Sequence, residues 1–369
     1  MTVTLNDFDD RAVVVGIRRK NGELERTVIK ELGDAGLQQG AKMVTVVRMT
    51  SSETFAGSDN DPSDDNAQLA DPNSSNPSTL TDEASSELNV ALSVAIAAGR
   101  HVRDQRAKIA DLSASVVTKS SDNDPVTEVD TSTEQLVRRL LSTVRPHDTV
   151  FGEESGGELP EEGTVWVVDP IDGTVNFLYG IPFYAVSLAA QVHGETVAGV
   201  VVDIAHDLTY FASRDGGAYL RKGALEHETT EPRVVASDKQ LSVSRRHDLS
   251  HALVSTGFGY TASRRHVQGT VVSAMLETVR DIRRLGSAAL DLCHVAEGSV
   301  DAHYEHGLNL WDYAAGALIA HEAGACVSVP QRTSPGSDGE LLMAAHSELF
   351  DELKEGLARA GGLDPIPSD

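Results

Sequence analysis

The pattern of hydrophobic and polar positions divides the chain into three parts. Residues 12–49 contain an apolar strand, apolar residues at near-helical spacing over 24–37, and a second apolar strand. This pattern predicts that residues 1–49 form a small α/β accessory unit of βαβ-like type, too small to bury a core alone. Residues 50–83 are rich in Ser, Asp, Asn and Pro and nearly free of large apolar side chains, which predicts a disordered acidic linker. From residue 84 to 362, apolar periodicity returns and predicts the main domain.

The main domain has two predicted halves. In residues 84–235, apolar positions three and four apart predict two amphipathic helices, and short apolar runs predict strands. The helices are centred on 88–102 and 136–141, and the strands fall at 148–151, 166–168, 185–192, 196–202 and 208–212. In residues 236–362 strands and helices alternate. The strands are near 252–256, 281–285 and 302–304, and the helices span about 267–279, 286–296 and 311–323.

Charge narrows the choice of partners. The 369 residues include 56 acidic and 31 basic side chains, for a formal net charge of -25. A uniformly acidic surface repels nucleic acid and anionic membranes, so neither is expected as a partner. We interpret the acidity as an adaptation to a salty cytoplasm, where screening makes such a charge tolerable. The hypothesis is therefore a halophilic protein.

Cysteine usage and the N-terminus favour a cytoplasmic protein. Cys293 and Cys326 stand far apart, and with no Cys-x-x-Cys pair they support neither a zinc ribbon nor a disulfide framework. Both are expected to be inert core residues. The acidic first residues lack a signal-peptide core, and no apolar run approaches the roughly 18 residues of a membrane span.

The candidate chemistry begins where the apolar run 166–168 ends. Asp169 and Asp172 follow it directly, and two buried carboxylates repel each other unless a divalent cation separates their charges. Gly173 and Thr174 then offer backbone N–H groups and a hydroxyl, which suit a phosphate. The local interpretation is a metal beside a phosphate; a solvated acidic turn is the alternative.

Three motifs together resemble those of the inositol monophosphatase superfamily of Mg²⁺-dependent phosphatases. They are Gly152-Glu153-Glu154-Ser155, Asp169-Pro170-Ile171-Asp172-Gly173-Thr174 and Trp311-Asp312-Tyr313-Ala314-Ala315-Gly316. The resemblance covers about residues 84–362 and points to the archaeal type that acts on inositol-1-phosphate and fructose-1,6-bisphosphate. It implies an α+β fold, a layered αβαβα sandwich, with two or three Mg²⁺ ions. It also implies a possible homodimer.

Matched motif by motif, the resemblance implies a role for each site residue. The metal ligands would be Glu153, Asp169, the carbonyl of Ile171, Asp172 and Asp312. The Thr174 hydroxyl, held by Asp130, would orient and deprotonate the attacking water, with Glu153 close to the same water. Asp172, Gly173 and Thr174 would contact the phosphate. Glu154 would support the ligands, and Lys119 would lie near a mobile metal loop.

The resemblance also implies which residues surround the rest of the substrate. Ser287 and Ala288 match a loop that touches the alcohol, and Glu305 matches an acid that accepts from a substrate hydroxyl. Among Arg264, Arg265, Arg283 and Arg284, one could hold a second phosphate, and Arg284 is the preferred candidate. His303 and His306 lie at a predicted strand end rather than on a helix, which argues against a zinc site.

The predicted function is therefore Mg²⁺-dependent release of phosphate from a small phosphorylated sugar or polyol, inositol-1-phosphate or fructose-1,6-bisphosphate. One alternative is a nucleotide phosphatase acting on 3′-phosphoadenosine phosphate or NADP, although the chain has no Gly-x-Gly-x-x-Gly loop in its N-terminal unit. Another is a catalytically inactive binding paralogue in which the N-terminal unit is regulatory.

Overall fold

A computed structural model describes residues 12–20, 23–31, 44–52, 77–109, 125–226 and 232–368. The strands are β1 (Ala12–Lys20), β2 (Glu23–Glu31), β3 (Val44–Ser52), β4 (Thr149–Gly152), β5 (Thr164–Asp172), β6 (Ala185–Val192), β7 (Glu195–Asp203), β8 (Leu208–Ser213), β9 (Gly217–Lys222), β10 (Lys239–Gln240), β11 (Leu253–Thr256), β12 (Asp281–Arg283), β13 (Ala302–His306), β14 (Ala325–Ser328) and β15 (Leu341–His346). The helices are α1 (Pro77–Lys108), α2 (Pro125–Val144), α3 (Thr174–Tyr179), α4 (Ala262–Met275), α5 (Ala288–Glu297), α6 (Leu310–Glu322) and α7 (Ser347–Ala360).

Two sheets organise the main domain. The larger has seven strands in the order β10-β9-β8-β7-β6-β5-β4, antiparallel except for the parallel pair β4–β5. The smaller has five strands in the order β12-β11-β13-β15-β14, with β11 parallel to both of its neighbours. Helices α1 and α2 cover one face of the larger sheet, α5 and α6 lie between the sheets, and α4 and α7 cover the outer face of the smaller one. The predicted α+β sandwich of αβαβα layers is confirmed.

Strand β5 shows why the run 166–168 is apolar without alternation. Trp166 and Val168 pack into the core formed with α1 and α2, whereas Val165 and Val167 pack against α5 and α6. A strand that is covered on both faces buries every side chain, so its sequence is continuously apolar and does not alternate with polar residues. This central position places the carboxylates that follow it at the edge between two cores.

The N-terminal unit differs from the prediction. Helical spacing over residues 24–37 predicts a helix, but Glu23–Glu31 is strand β2, which pairs antiparallel with β1 and β3. Lys20 pairs with Glu23, and the two residues between them in the sequence are Asn21-Gly22, the dipeptide typical of a two-residue hairpin turn. The short-range hairpin signal and the β-branched run 27–29 outweighed the helical spacing.

The predicted linker is bounded by regular structure. Strand β3 continues to Ser52, and α1 begins at Pro77, a residue type suited to a first helical turn. Residues 53–76, and Lys119 with its surroundings, lie outside the described residues. No helix in the described parts of the chain is long and apolar enough to cross a membrane.

The two cysteines have different surroundings, which corrects one expectation. Cys293 on α5 is fully buried, as predicted, but Cys326 is exposed. Cys326 lies on β14, an edge strand in which Ala325 faces the core and the next residue faces outward. Strand alternation therefore decides its exposure, and the apolar neighbours in sequence do not.

Candidate active site

A bulge in β5 places the side chains of Asp169 and Asp172 on the same face of the larger sheet. Asp169 pairs with Ser187 of β6 and Asp172 pairs with Ala185, so three steps along β5 oppose two steps along β6. Residues two apart on β6 share a face, and so do their partners. In a regular strand, residues three apart would point to opposite faces. The bulge, which includes Pro170, thus places both carboxylates on the side of the sheet that faces α5 and α6.

Asp172 is held by the start of α5. Its Oδ2 accepts hydrogen bonds from the Ser287 hydroxyl at 2.6 Å and from the Ala289 backbone N–H at 2.7 Å. Asn176 of α3 keeps the neighbouring loop in place, because its Nδ2 donates to the carbonyls of Phe183 and Leu285, both at 2.8 Å. These bonds join the turn after β5 to the loop before α5.

Two further aspartates reach the same place from other elements. Asp312 lies in the first turn of α6, where its Oδ2 accepts from the Asn309 N–H at 2.7 Å. Asp130 is buried on α2, and its charge is one of the causes that raise the pKa of Asp169. Asp169 itself accepts the Ile171 N–H at 2.9 Å. Carboxylates far apart in sequence are therefore electrostatic neighbours.

Burial and mutual repulsion dominate the electrostatics of this cluster. Burial raises the pKa of Glu153 to about 7 and that of Asp172 to about 6, while a hydrogen bond with Asp169 opposes the shift at Glu153. Burial first, and then the neighbouring carboxylates, raise the pKa of Asp169 and of Asp312 well above the ordinary range. Glu153 is nevertheless an exposed residue, so solvent weakens the effect of burial, and the neighbouring carboxylates contribute to its raised pKa.

The donor set fits a hard cation. Among the described residues, no Lys or Arg forms an ion pair with Glu153, Asp169, Asp172 or Asp312, and carboxylate oxygens are what Mg²⁺ prefers. In the described parts of the chain, no three Asp, Glu, His or Cys side chains are close enough together to form a ready-made metal site. Backbone N–H groups engage one oxygen of each aspartate, and the second oxygen accepts none of these bonds.

Gly173 and Thr174 occupy the turn between β5 and α3. Gly173 has φ of 95°, and an added Cβ would lie 2.9 Å from the Phe183 carbonyl oxygen, so only glycine fits there. The Thr174 hydroxyl donates to the Ile171 carbonyl at 3.0 Å. This differs from the predicted pairing with Asp130. A threonine at a helix start readily bonds a carbonyl three residues back, and that local bond is the one formed.

Two of the predicted substrate residues, Glu305 and Arg284, interact electrostatically with each other. The Glu305 carboxylate on β13 lies directly against Gly257, where a Cβ would overlap it. Burial raises the pKa of Glu305 to about 8, and the positive charge of Arg284 opposes this shift. Arg284 is exposed, and its guanidinium carbon lies 5.9 Å from the centre of the Phe258 ring. The same arginine lowers the pKa of Asp172. Arg284 is therefore a positive charge that acts on carboxylates of both sheets.

Two other groups of predicted candidates have structural roles. Arg264 is buried and donates to the carbonyls of Ile366, Gly336 and Ser337, so it holds the C-terminal segment and is not free to bind a phosphate. Burial lowers the pKa of His303 to about 3 and of His306 to about 4. Both histidines lie on β13 with different partners, as expected of core residues.

Sequence reasoning missed three residues of this region. Glu134 on α2 approaches the turn that carries Glu153, Asn176 joins two loops, and Tyr260 lies on the loop after β11, within electrostatic range of Arg284 and Asp172. The one signal in the sequence was helical spacing: Glu134 is four residues after Asp130, which places both on one face of α2.

The raised pKa values predict how a divalent cation should stabilise the protein. A carboxyl whose pKa is higher in the folded state stabilises the fold fully below its unfolded value, and that contribution is lost as the pH rises through the folded pKa. For Glu153 the window runs from 4.5 to about 7, and for Asp172 from 3.8 to about 6. Without metal, these groups therefore lower stability as the pH rises through this range.

The expected result is a gain in melting temperature on adding Mg²⁺ that is small near pH 5 and large near pH 8. Thermal unfolding with and without Mg²⁺ across this range measures it. A gain that is the same at every pH would contradict the electrostatic account of the cluster.

Comparisons with known proteins agree with this geometry. The family model described as "Inositol monophosphatase family" matches residues 83–360. The chain is 47% identical over 288 residues to the inositol-1-monophosphatase of Mycobacterium leprae, covering 75% of this chain and 95% of that protein. It is 36% identical over 242 residues to a protein of Pasteurella multocida named Nus factor SuhB, covering 65% and 84% of the two chains.

Solved structures give the same result. The structure of Mycobacterium tuberculosis SuhB matches with a TM-score of 0.63 at 42% identity, covering 79% of this chain and all of that one. An inositol monophosphatase from Anabaena (Nostoc) sp. PCC 7120 matches with a TM-score of 0.60 at 27% identity, covering 76% and 97%. The β1–β3 sheet lies before the matched residues.

Proposed function

The chain belongs to the inositol monophosphatase family, and on that premise we propose that it releases phosphate from inositol-1-phosphate and fructose-1,6-bisphosphate. Membership makes the chain a phosphatase; the substrates are the proposal. One observation supports the site above the others: burial, and then their effect on one another, raises the pKa values of the carboxylates around the bulge of β5. The turn at Gly173 and Thr174, which begins α3, lies directly beside this negative cluster.

Members of this family are generally Mg²⁺-dependent, and we assign two or three ions to the cluster. The residues that would hold them are Glu153, Asp169, the Ile171 carbonyl, Asp172 and Asp312. When bound, Mg²⁺ neutralises the carboxylates and makes a bound water more acidic. The archaeal subtype and the halophilic character stay predictions, because neither follows from membership of the family.

The protein's own groups have distinct parts in hydrolysis. The Glu153 carboxylate accepts a proton from the attacking water, and the Thr174 hydroxyl orients that water after leaving the Ile171 carbonyl. Asp130 supports this from α2. The N–H groups of Gly173 and Thr174 bind phosphate oxygens. As the water oxygen forms the new P–O bond, the bond between phosphorus and the ester oxygen breaks, and the leaving oxygen takes a proton from solvent to become the alcohol.

Groups on the smaller sheet and on α5 would select the alcohol. Glu305 accepts from a substrate hydroxyl, and the loop at Ser287 and Ala288 lies against the alcohol. Arg284 binds a second phosphate, which favours a bisphosphate, since its guanidinium is exposed and adjoins the cluster. Glu154, which accepts from the Thr131 hydroxyl at 3.2 Å, steadies the turn that carries Glu153.

A substrate panel tests the proposal. With Mg²⁺ present, phosphate release is expected from inositol-1-phosphate and fructose-1,6-bisphosphate and little from 3′-phosphoadenosine phosphate. Preference for the nucleotide would favour a nucleotide phosphatase, and no release from any of them would favour an inactive binding paralogue.

Arg284→Gln is expected to lower kcat/KM for the bisphosphate about 10-fold and to leave kcat/KM for inositol-1-phosphate nearly unchanged. Equal losses on both substrates would contradict the role given to Arg284.

A further inference from the structure

The turn that carries Glu153 is held by a helix that is distant in sequence. The Glu134 side chain of α2 is fully buried, and its carboxylate accepts the backbone N–H of Glu154 at 2.9 Å and that of Ser155 at 3.2 Å. The turn follows β4, whose ladder with β5 ends at Gly152. Beyond that residue, the hydrogen bonds that Glu134 accepts help to fix the turn.

Arg138, one helical turn further along α2, completes the contact. Its Nε donates to Glu134 Oε1 at 2.8 Å. Its two terminal nitrogens donate to the carbonyl of Val150, at 3.0 Å, and to that of Gly156, at 2.7 Å. The arginine therefore joins the strand before the turn to the residue after it, and at the same time compensates the buried charge of Glu134.

Gly152 shows how closely the helix approaches. A Cβ at this position would overlap the Glu134 carboxylate, so no larger residue fits without displacing it. This gives a physical reason for the glycine in the Gly152-Glu153-Glu154-Ser155 motif. Asp130 lies one turn before Glu134 on the same helix face, so α2 positions both carboxylates at once.

We propose that Glu134 is a positioning residue that, with Arg138, fixes the backbone of the 152–156 turn so that Glu153 can bind the cation. This inference rests on the proposed function, because it assigns Glu153 to the metal. Glu134 does not touch the ion. It raises the affinity for Mg²⁺ because the turn is already ordered before the ion binds, so binding costs less conformational entropy.

Glu134→Gln is the sharpest test. A carboxamide has one acceptor oxygen, so it cannot accept from Glu154, Ser155 and Arg138 together, and its NH₂ group meets one of these donors. Calorimetric titration of the full chain with Mg²⁺, without substrate, is expected to show about 10-fold weaker binding. In activity assays the Mg²⁺ concentration for half-maximal rate should rise by a similar factor, and kcat should recover at saturating Mg²⁺.

Glu87→Gln is the matched control. Glu87 is buried and pairs with Arg145 at 2.6 Å, next to the opposite end of α2. This variant should lower the melting temperature and leave Mg²⁺ binding at the wild-type value. If Glu134→Gln behaves in the same way, the residue is merely structural and the inference is overturned.

Arg138→Gln provides the decision if Glu134→Gln does not fold. It keeps the carboxylate and removes the donors to Val150 and Gly156, so weaker Mg²⁺ binding supports the inference and unchanged binding overturns it. A wild-type protein that does not bind Mg²⁺ would instead contradict the proposed function. The two failures are thereby distinguishable.

Discussion

Replacing Asp172 by asparagine is expected to lower phosphate release by at least about 10³-fold while the protein stays folded. The amide oxygen can still accept from the Ser287 hydroxyl and the Ala289 N–H, so the turn keeps its anchor to α5. The negative charge is lost, however, and with it one proposed ligand. Because burial disfavours that charge more than the hydrogen bonds to it and Arg284 favour it, metal-free Asp172→Asn should melt no lower than the wild type near pH 8.

The measurement pairs activity with thermal unfolding, and Asp238→Asn is the control. Asp238 has a fully buried side chain paired with Arg221 at 2.7 Å, at the β9–β10 edge of the larger sheet. Its asparagine variant breaks an ion pair, so it should lose stability and keep activity. Full activity in Asp172→Asn would refute its assignment as a metal ligand.

Removal of divalent metal is expected to reduce activity to the background rate. Uncatalysed hydrolysis of phosphate monoesters is among the slowest of reactions, and without cations a cluster of carboxylates repels the phosphate dianion. Chelation followed by dialysis, and then phosphate release with Mg²⁺ or Ca²⁺ added back, measures the dependence. Mg²⁺ should restore the rate. Ca²⁺ should not, because it prefers longer bonds and more ligands. Undiminished release in chelator would contradict the metal assignment.

Much of the main domain could be predicted because local and long-range signals agree there. The run 166–168 is apolar on both faces of its strand, and the antiparallel strands β6, β7 and β8 begin and end within a few residues of their predicted bounds. Parallel pairing of β11 with its neighbours follows from strands that alternate with helices. The motif carboxylates are near one another because each lies at the end of a strand or in the first turn of a helix.

Other features depend on contacts that the sequence does not express. In the sequence, Glu134 looks like any other glutamate on a helix, and its contact with the turn at Gly152 is visible only in the fold. The β5 bulge is visible only in its register with β6. The Asn21-Gly22 signal, by contrast, was present in the sequence, and giving it more weight than helical spacing would have predicted the β1–β2 hairpin.

The bulge in β5 and the first turn of α6 contribute to one cluster from widely separated parts of the chain. During synthesis the N-terminal half leaves the ribosome first, carrying Glu153, Asp169 and Asp172, while Asp312 is still to be translated. A nascent chain arrested before α6 should therefore retain magnesium poorly, and the ion would join the protein only after synthesis has passed Asp312.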